Sequence, residues 1–195
     1  MSSKQDILRR VRQSQPPAVD LPALTGPWTT FDDLRSQFAT TVQQVGGQVV
    51  MARDRAHADQ LVKALASYQD AAKICSLVDG VGRSDVELLE VERPHDLADV
   101  DLTIAAGKFA VAENGAVWVS AAQVRHQAIY FLCQHLALVV PGDQIVHHMH
   151  EAYDRLASET SSFGVFISGP SKTADIEQSL VIGAQGPRSL TVVLI

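Results

Sequence analysis

Cysteine is scarce. Cys75 and Cys133 are the only two thiols in 195 residues, whereas an iron–sulfur cluster is normally held by four thiolates. Their separation matches no zinc-ligand spacing, and both sit in apolar sequence, which predicts buried, reduced thiols. No flavin or nicotinamide fingerprint is present either, so no cofactor is expected. Positive charge is also short. Lys and Arg number 16 against 22 Asp and Glu, for a net charge of −6, and without a basic stripe nucleic acid is not an expected partner. Long apolar runs are missing as well. Stretches such as Leu136 to Val140 are far too short to span a bilayer. The start of the chain carries Lys4, Asp6, Arg9 and Arg10 with no apolar segment behind them, unlike a secretory signal. A cytoplasmic chain without a membrane span is the expectation.

What is present suits one globular domain, with 46% hydrophobic residues and a length sufficient for a substantial core. Ser3 to Gln13 predicts a short polar helix with Ile7, Leu8 and Val11 on its apolar face. Gln15 to Pro27 contains Pro16, Pro17, Pro22 and Pro27 and reads as an extended linker. Residues 1–28 are therefore assigned to an N-terminal helix and linker, and 29–195 to an α/β domain. A helix starts at Thr30, capped by Thr29 or Thr30, with Phe31, Leu34, Phe38, Val42 and Val45 at helical spacing before Gly46-Gly47 stops it. A strand at Gln48 to Met51, a helix over Asp54 to Tyr68 and a strand at Lys73 to Val78 follow. Val86 to Glu92 is compatible with either type. Asp101 to Ala121 is β-rich, with Asn114-Gly115 as a turn. Arg125-His126 precedes the apolar run Ile129 to Cys133, and His135 opens a strand ending at Val140. The alternation predicts an α/β sandwich with a mostly parallel sheet flanked by helices.

Pro141 to Glu159 reads as one helix carrying His147, His148, His150 and Glu151. Spacings of three and four among them are ones that metal ligands use, but histidines on an exposed helix face usually stay solvated, and no metal site is assigned. Phe163 to Ile167 reads as a buried strand, broken by Ser168-Gly169-Pro170-Ser171. Thr173 then suits an N-cap, Asp175 and Glu177 suit a first helical turn, and Ile176, Leu180 and Ala184 make an apolar stripe. Gly186-Pro187 stops that helix before a final strand, Leu190 to Ile195. The unit predicts a βαβ crossover whose strand-to-helix loop offers free N–H groups to an anion. Asp175 and Glu177 at the positive end of the helix fit a hydroxyl, an arginine or a metal better than a phosphate.

The run Ser168-Gly-Pro-Ser-Lys-Thr-Ala-Asp-Ile-Glu177, followed by Gly183-Ala-Gln-Gly-Pro-Arg188, resembles the C-terminal signature of the LUD-domain family. That signature is roughly G-P-S-R-T-A-D-I-E and then G-x-H-G-P-R, so Lys172 and Gln185 are departures from it. Ala112-Glu-Asn-Gly-Ala116 resembles the family's A-E-T-G-T, with Ala116 in place of its final threonine. His135 before Leu136 to Val140 resembles its P-x-x-H-I-x-V-V. The resemblance implies a fold like that of ribose-phosphate isomerases and CoA transferases. A glutamate in an S-E-N-G segment is the nucleophile of class I CoA transferases, and Glu113 in Ala-Glu-Asn-Gly is similar to it. Glu113 and His135 are thus the candidate catalytic residues. Arg125, Ser168, Gly169, Ser171, Lys172, Thr173, Asp175 and Arg188 are the candidates to bind a small anionic ligand, with Glu113 expected in the same cleft as Ser171 and Asp175. The implied function is that of an accessory protein of L-lactate oxidation to pyruvate, working beside iron–sulfur partner proteins. An independent enzyme of the isomerase or CoA-transferase type, with Glu113 as base or nucleophile, is the alternative. A binding module without chemistry is a third reading.

Overall fold

Alternating burial along short strands sets the architecture. In the strand His135–Val140, Leu136, Leu138 and Val140 pack into one hydrophobic cluster, and Ala137 and Val139 into another on the opposite face. This is the two-residue period of a strand buried on both sides. The structure is a computed structural model that describes residues 3–20, 22–120, 124–157, 163–173 and 180–195.

Among these residues the strands are β1 (Gln48–Met51), β2 (Ile74–Ser76), β3 (Leu102–Ala106), β4 (Phe109–Val111), β5 (Ala116–Ser120), β6 (His135–Val140), β7 (Ile145–Val146), β8 (Gly164–Ile167), β9 (Lys172–Thr173), β10 (Val181–Ile182) and β11 (Ser189–Leu194). The helices are α1 (Ser3–Gln13), α2 (Leu34–Gln44), α3 (Arg55–Lys63), α4 (Ala66–Gln69), α5 (Ile129–Leu132) and α6 (Met149–Leu156). A five-stranded sheet runs in the order β1-β11-β6-β3-β2, and every pairing in it is parallel. The protein is α/β with a mostly parallel central sheet flanked by helices.

One face of that sheet is covered by α3 and α4 through Ala58, Val62 and Tyr68, packed on Ile104, Val139 and Val193. The other face is covered by Phe38 and Val42 of α2, by the α5 segment, and by a second, four-stranded sheet in the order β7-β4-β5-β8. That sheet alternates too. Ala110, Val117 and Val119 face the central core, while Phe109, Val111 and Trp118 face outward beneath α6. Helix α1 has no buried residue.

Four expectations need correction. The cap of α2 is Asp33, whose carboxylate accepts from the Ser36 N–H at 3.0 Å, rather than Thr29 or Thr30. The helix expected over Asp54 to Tyr68 breaks into α3 and α4 around Ala64 and Leu65. The helix expected from Pro141 begins at Met149, because β7 pairs Ile145 and Val146 with β4. His147 therefore precedes the helix and shares no helical face with His150 and Glu151.

The fourth correction concerns the C-terminal crossover. β8 pairs with β5 in the second sheet, not beside β11, so the two strands are not joined by a βαβ unit. Lys172 and Thr173 form β9 and pair antiparallel with Ile182 and Val181, which removes Thr173 as a helix cap. Leu180 and Ala184 are exposed instead of forming a packed stripe. A spacing of four puts residues on one side of a strand as well as a helix, so the spacing alone did not discriminate. Asp175, Ile176 and Glu177 lie outside the described residues.

Candidate functional site

The two halves of the C-terminal signature are brought side by side by backbone hydrogen bonds. The Ser171 N–H donates to the Pro187 carbonyl at 2.8 Å, and the Gly183 N–H to the Ser171 carbonyl at 2.9 Å. Gly169 has φ +69°, and a Cβ there would lie 2.4 Å from the Val45 carbonyl oxygen. Only glycine lets the chain pass so close to the end of α2. Lys172 follows and donates its amine to that same Val45 carbonyl, a cation at the negative end of a helix. The Ser168 hydroxyl donates to the Asn114 carbonyl at 2.7 Å and ties the signature to the β4–β5 turn.

Between these segments lies a cavity of about 290 Å³. Tyr130, Leu136, Ile167 and Leu190 supply an apolar wall, and Ser168, Ser171 and Gln185 supply polar groups. Burial, with a smaller contribution from Cys75, pushes the Tyr130 phenol up to about 12, so it stays protonated. The lining suits a small ligand with an apolar side and a few hydrogen-bonding atoms. Lys172 lines the cavity, but its amine is held by Val45.

Glu113 opens onto a separate depression of about 430 Å³, shared with Trp28, Asn114, His148 and His150. Its Oε2 accepts from the Met149 N–H at 2.9 Å, so the carboxylate caps the first turn of α6, where negative charge is favoured. The β4–β5 loop places it there through the Gly115 N–H, which donates to the Val111 carbonyl, and Gly115 has φ +66°. Trp28 stacks on His150 with ring centroids 3.8 Å apart. Glu113 and Ser171 thus line neighbouring depressions that meet at the Ser168–Asn114 bond, and Asp175 lies outside the described residues.

The histidines around α6 are engaged individually. His147 Nδ1 accepts from the Phe31 N–H at 3.0 Å, and His148 caps α6 by accepting from the Glu151 N–H at 3.3 Å. Among the described residues no group of three His, Cys, Asp or Glu side chains is placed to hold a metal. Arg125 is exposed and donates to the Leu89 carbonyl.

His135 and Arg188 come together elsewhere, at the amino edge of the central sheet. His135 and Ser189 are register partners at the first positions of β6 and β11, and His135 Nδ1 lies 2.7 Å from the Ser189 hydroxyl. Alternation along the strands sends Leu136 and Leu190 toward the signature cavity and turns His135 toward α4. There a second cavity of about 300 Å³ is lined by Ser67, Asp70, Asp101, Gln134, His135 and Arg188. Burial, and next the Arg188 charge, hold the His135 imidazole below its usual value, while Asp101 and Asp70 act in the opposite direction. Gly186-Pro187-Arg188 therefore spans both cavities, with Gly186 and Pro187 in one and Arg188 in the other. Sequence reasoning did not single out Ser189, Tyr130 or Trp28. Ser189 matters through a strand register and Trp28 through a ring contact, and neither leaves a local sequence signal.

A mostly parallel sheet backed by a second sheet, with a C-terminal signature folded across their junction, defines an α/β class of small-molecule-sized sites. A model of the LUD domain matches residues 35–195, and the chain belongs to the LUD-domain family. Lactate utilization protein C of Geobacillus kaustophilus is 26% identical over 159 residues, which cover 77% of this chain and 63% of that protein. The protein of the same name from an Exiguobacterium species is 36% identical over 104 residues, covering 50% of this chain and 44% of that one. The chain thus spans less than two thirds of the length of these relatives. A crystal structure of a DUF162 family protein from Deinococcus radiodurans superimposes with a TM-score of 0.62 at 16% identity, covering 83% of this chain and 95% of that one. At that identity the likeness speaks for the fold alone.

Proposed function

We propose that this protein serves lactate utilisation as an accessory protein of L-lactate oxidation to pyruvate, binding a small anionic ligand or assembling with iron–sulfur partner proteins. The observation that carries this reading is the signature itself, whose two halves close over one cavity and continue through Arg188 into a second. The cysteines support a division of labour. Burial raises both thiols, Cys133 to about 11, so within this chain they remain protonated and are poor metal ligands. Electron transfer then falls to partners. Ser168, Gly169, Ser171, Lys172 and Thr173 shape the signature cavity in this reading, and Asp175 belongs to the same proposed ligand set. Arg125 is the outlying member of that set.

Growth on L-lactate as carbon source tests the proposal. Cells lacking the protein are expected to lose growth on L-lactate but not on glucose, and affinity capture of the tagged chain should bring down proteins that carry iron and acid-labile sulfide. Normal growth of the deletion strain on L-lactate would sink the reading. The alternative, an independent isomerase or CoA transferase with Glu113 as base or nucleophile, is favoured by the exposure of that carboxylate in its own depression. Glu113→Gln separates the two. It should abolish activity under the alternative, and leave growth on L-lactate intact if Glu113 serves only to cap α6.

A further inference from the structure

We infer that the amino-edge cavity is the site at which this protein takes a short 2-hydroxy or 2-oxo carboxylate, with Arg188 holding the carboxylate and His135 reading the oxygen on the adjacent carbon. This rests on the function proposed above and names its ligand site and ligand class.

The first argument is a census of cations. Of the three cationic side chains in the proposed ligand set, Arg125 donates to the Leu89 carbonyl and Lys172 to the Val45 carbonyl. The Arg188 guanidinium has no hydrogen-bond or ion-pair partner among the described residues, and it faces a cavity. A guanidinium presents a planar fork that matches a carboxylate in a bidentate way. The backbone of Arg188 is fixed, since its N–H donates to the Gln134 carbonyl at 2.8 Å, so the fork projects from a stationary point beside His135.

The second argument is the state of His135. A second cation in the same cavity would accept any anion. A neutral imidazole beside one arginine discriminates, because it hydrogen-bonds a hydroxyl or carbonyl oxygen next to the carboxylate. Burial, and next the Arg188 charge, favour the neutral ring, against Asp101 and Asp70. Ser189 holds Nδ1 at 2.7 Å, and a hydroxyl can either donate or accept. When the Ser189 hydroxyl donates to Nδ1, Nε2 carries the proton and donates to a 2-oxo group. When Nδ1–H donates to the serine, Nε2 accepts from a 2-hydroxyl. One pair therefore fits both oxidation states of the ligand, through a change of imidazole tautomer matched by a rotation of the serine hydroxyl.

The acidic neighbours set the orientation. Asp101 lines the cavity, but its Oδ2 already accepts from the Ala72 and Lys73 N–H groups at 2.8 and 2.9 Å. Asp70 lies exposed in α4's cap. Both repel a carboxylate placed on the α4 side and leave the Arg188 side as its seat. A volume of about 300 Å³ limits the ligand to a small acid.

Calorimetric titration of the purified full chain with L-lactate, pyruvate and propionate tests this. Propionate keeps the carboxylate and lacks the second oxygen. L-Lactate and pyruvate should each bind about tenfold more tightly than propionate, the worth of one hydrogen bond in a shielded site. Arg188→Gln, a change at an exposed residue that leaves the core alone, should weaken all three by about tenfold or more. His135→Gln should erase the preference over propionate, and Ser189→Ala should reduce it if the glutamine variant proves unfolded by circular dichroism. Lys63→Gln, at a surface cation of α3 outside both cavities, should change none of the three. Equal binding of lactate and propionate, an unaffected Arg188→Gln variant, or no binding of any of the three acids up to tens of millimolar would each overturn the inference. If the chain restores growth on L-lactate but binds none of these acids, the site assignment fails while the accessory function stands.

Discussion

The central sheet and the signature segment that crosses it are held by different means. Along β6 and β11, six consecutive register pairs join residues that are nearly all buried, and each strand presses one face into each of two cores. The described residues of segment 163–188 are tied more sparsely. β8 pairs with β5 but is only half-buried at all four positions, β9 and β10 share two register pairs, and single bonds such as Ser171–Pro187, Ser168–Asn114 and Lys172–Val45 hold the turns between them. In the sheet, stability is spread over many apolar contacts. In the signature, position is fixed by a few polar ones, which is how a binding loop is held on a rigid scaffold.

The contrast predicts unequal costs. Leu138, fully buried in β6, should lose about 2–5 kcal/mol on Leu138→Ala, through lost burial and the cavity left behind. Ile182→Ala in β10, at a residue 51% exposed, should cost less than about 1 kcal/mol. Denaturant unfolding of the two variants measures both, and similar losses would erase the distinction between the regions.

The same contrast explains what the sequence made readable. β6 is visible as an apolar run behind His135, because a parallel strand buried on both faces is a short continuous hydrophobic stretch, and the half-buried edge strand β1 is visible residue for residue as Gln48–Met51 because Gly46-Gly47 stops the helix before it. The cap and signature residues are visible as letters, but not their partners. Glu113 meets Met149 across 36 residues, Lys172 meets Val45 across 127, and His135 meets Ser189 across 54. Such pairings follow from strand register and sheet order, which local patterns do not encode. β7 was lost for a related reason. Two residues pairing with a neighbour's edge carry no period of their own, so Ile145 and Val146 were absorbed into a helical pattern.

The signature should be most sensitive where polar linkage depends on backbone shape. Gly169→Ala puts a side chain at φ +69° and drives its Cβ against the Val45 carbonyl. A cost of about 1–3 kcal/mol is expected, placing it between the two substitutions above. It should also loosen the Lys172 contact with Val45 and open the signature cavity. Faster amide exchange at Ser171 and Gly183, with β6 amides unchanged, would show that the segment yields without the sheet. Uniform acceleration across both would show instead that they unfold as one unit.

The smallest expected effect lies where the two regions touch, at His135. Its folded-state pKa is held below the ordinary 6.5, first by burial and then by Arg188, with Asp101 and Asp70 opposing. Between that depressed value and 6.5 the unfolded chain binds a proton that the folded chain does not, so stability must rise with pH through this window. Above 6.5 both states are neutral and the contribution vanishes. Below the folded value the penalty for having excluded the proton is complete. The carboxylates of Asp59, Asp85, Asp96 and Asp99 are also shifted, but downward from 3.8, so their stabilisation is lost only in acid stronger than pH 5.5. Denaturation midpoints should therefore fall modestly from pH 7.5 to pH 5.5, and His135→Gln should flatten part of that slope while leaving the loss in stronger acid unchanged. Arg188→Gln should flatten it less, since the arginine is the second cause and not the first. A slope that survives His135→Gln in full would mean that the imidazole titrates as if in water, and the neutral ring required for reading a 2-hydroxy or 2-oxo oxygen would be lost with it.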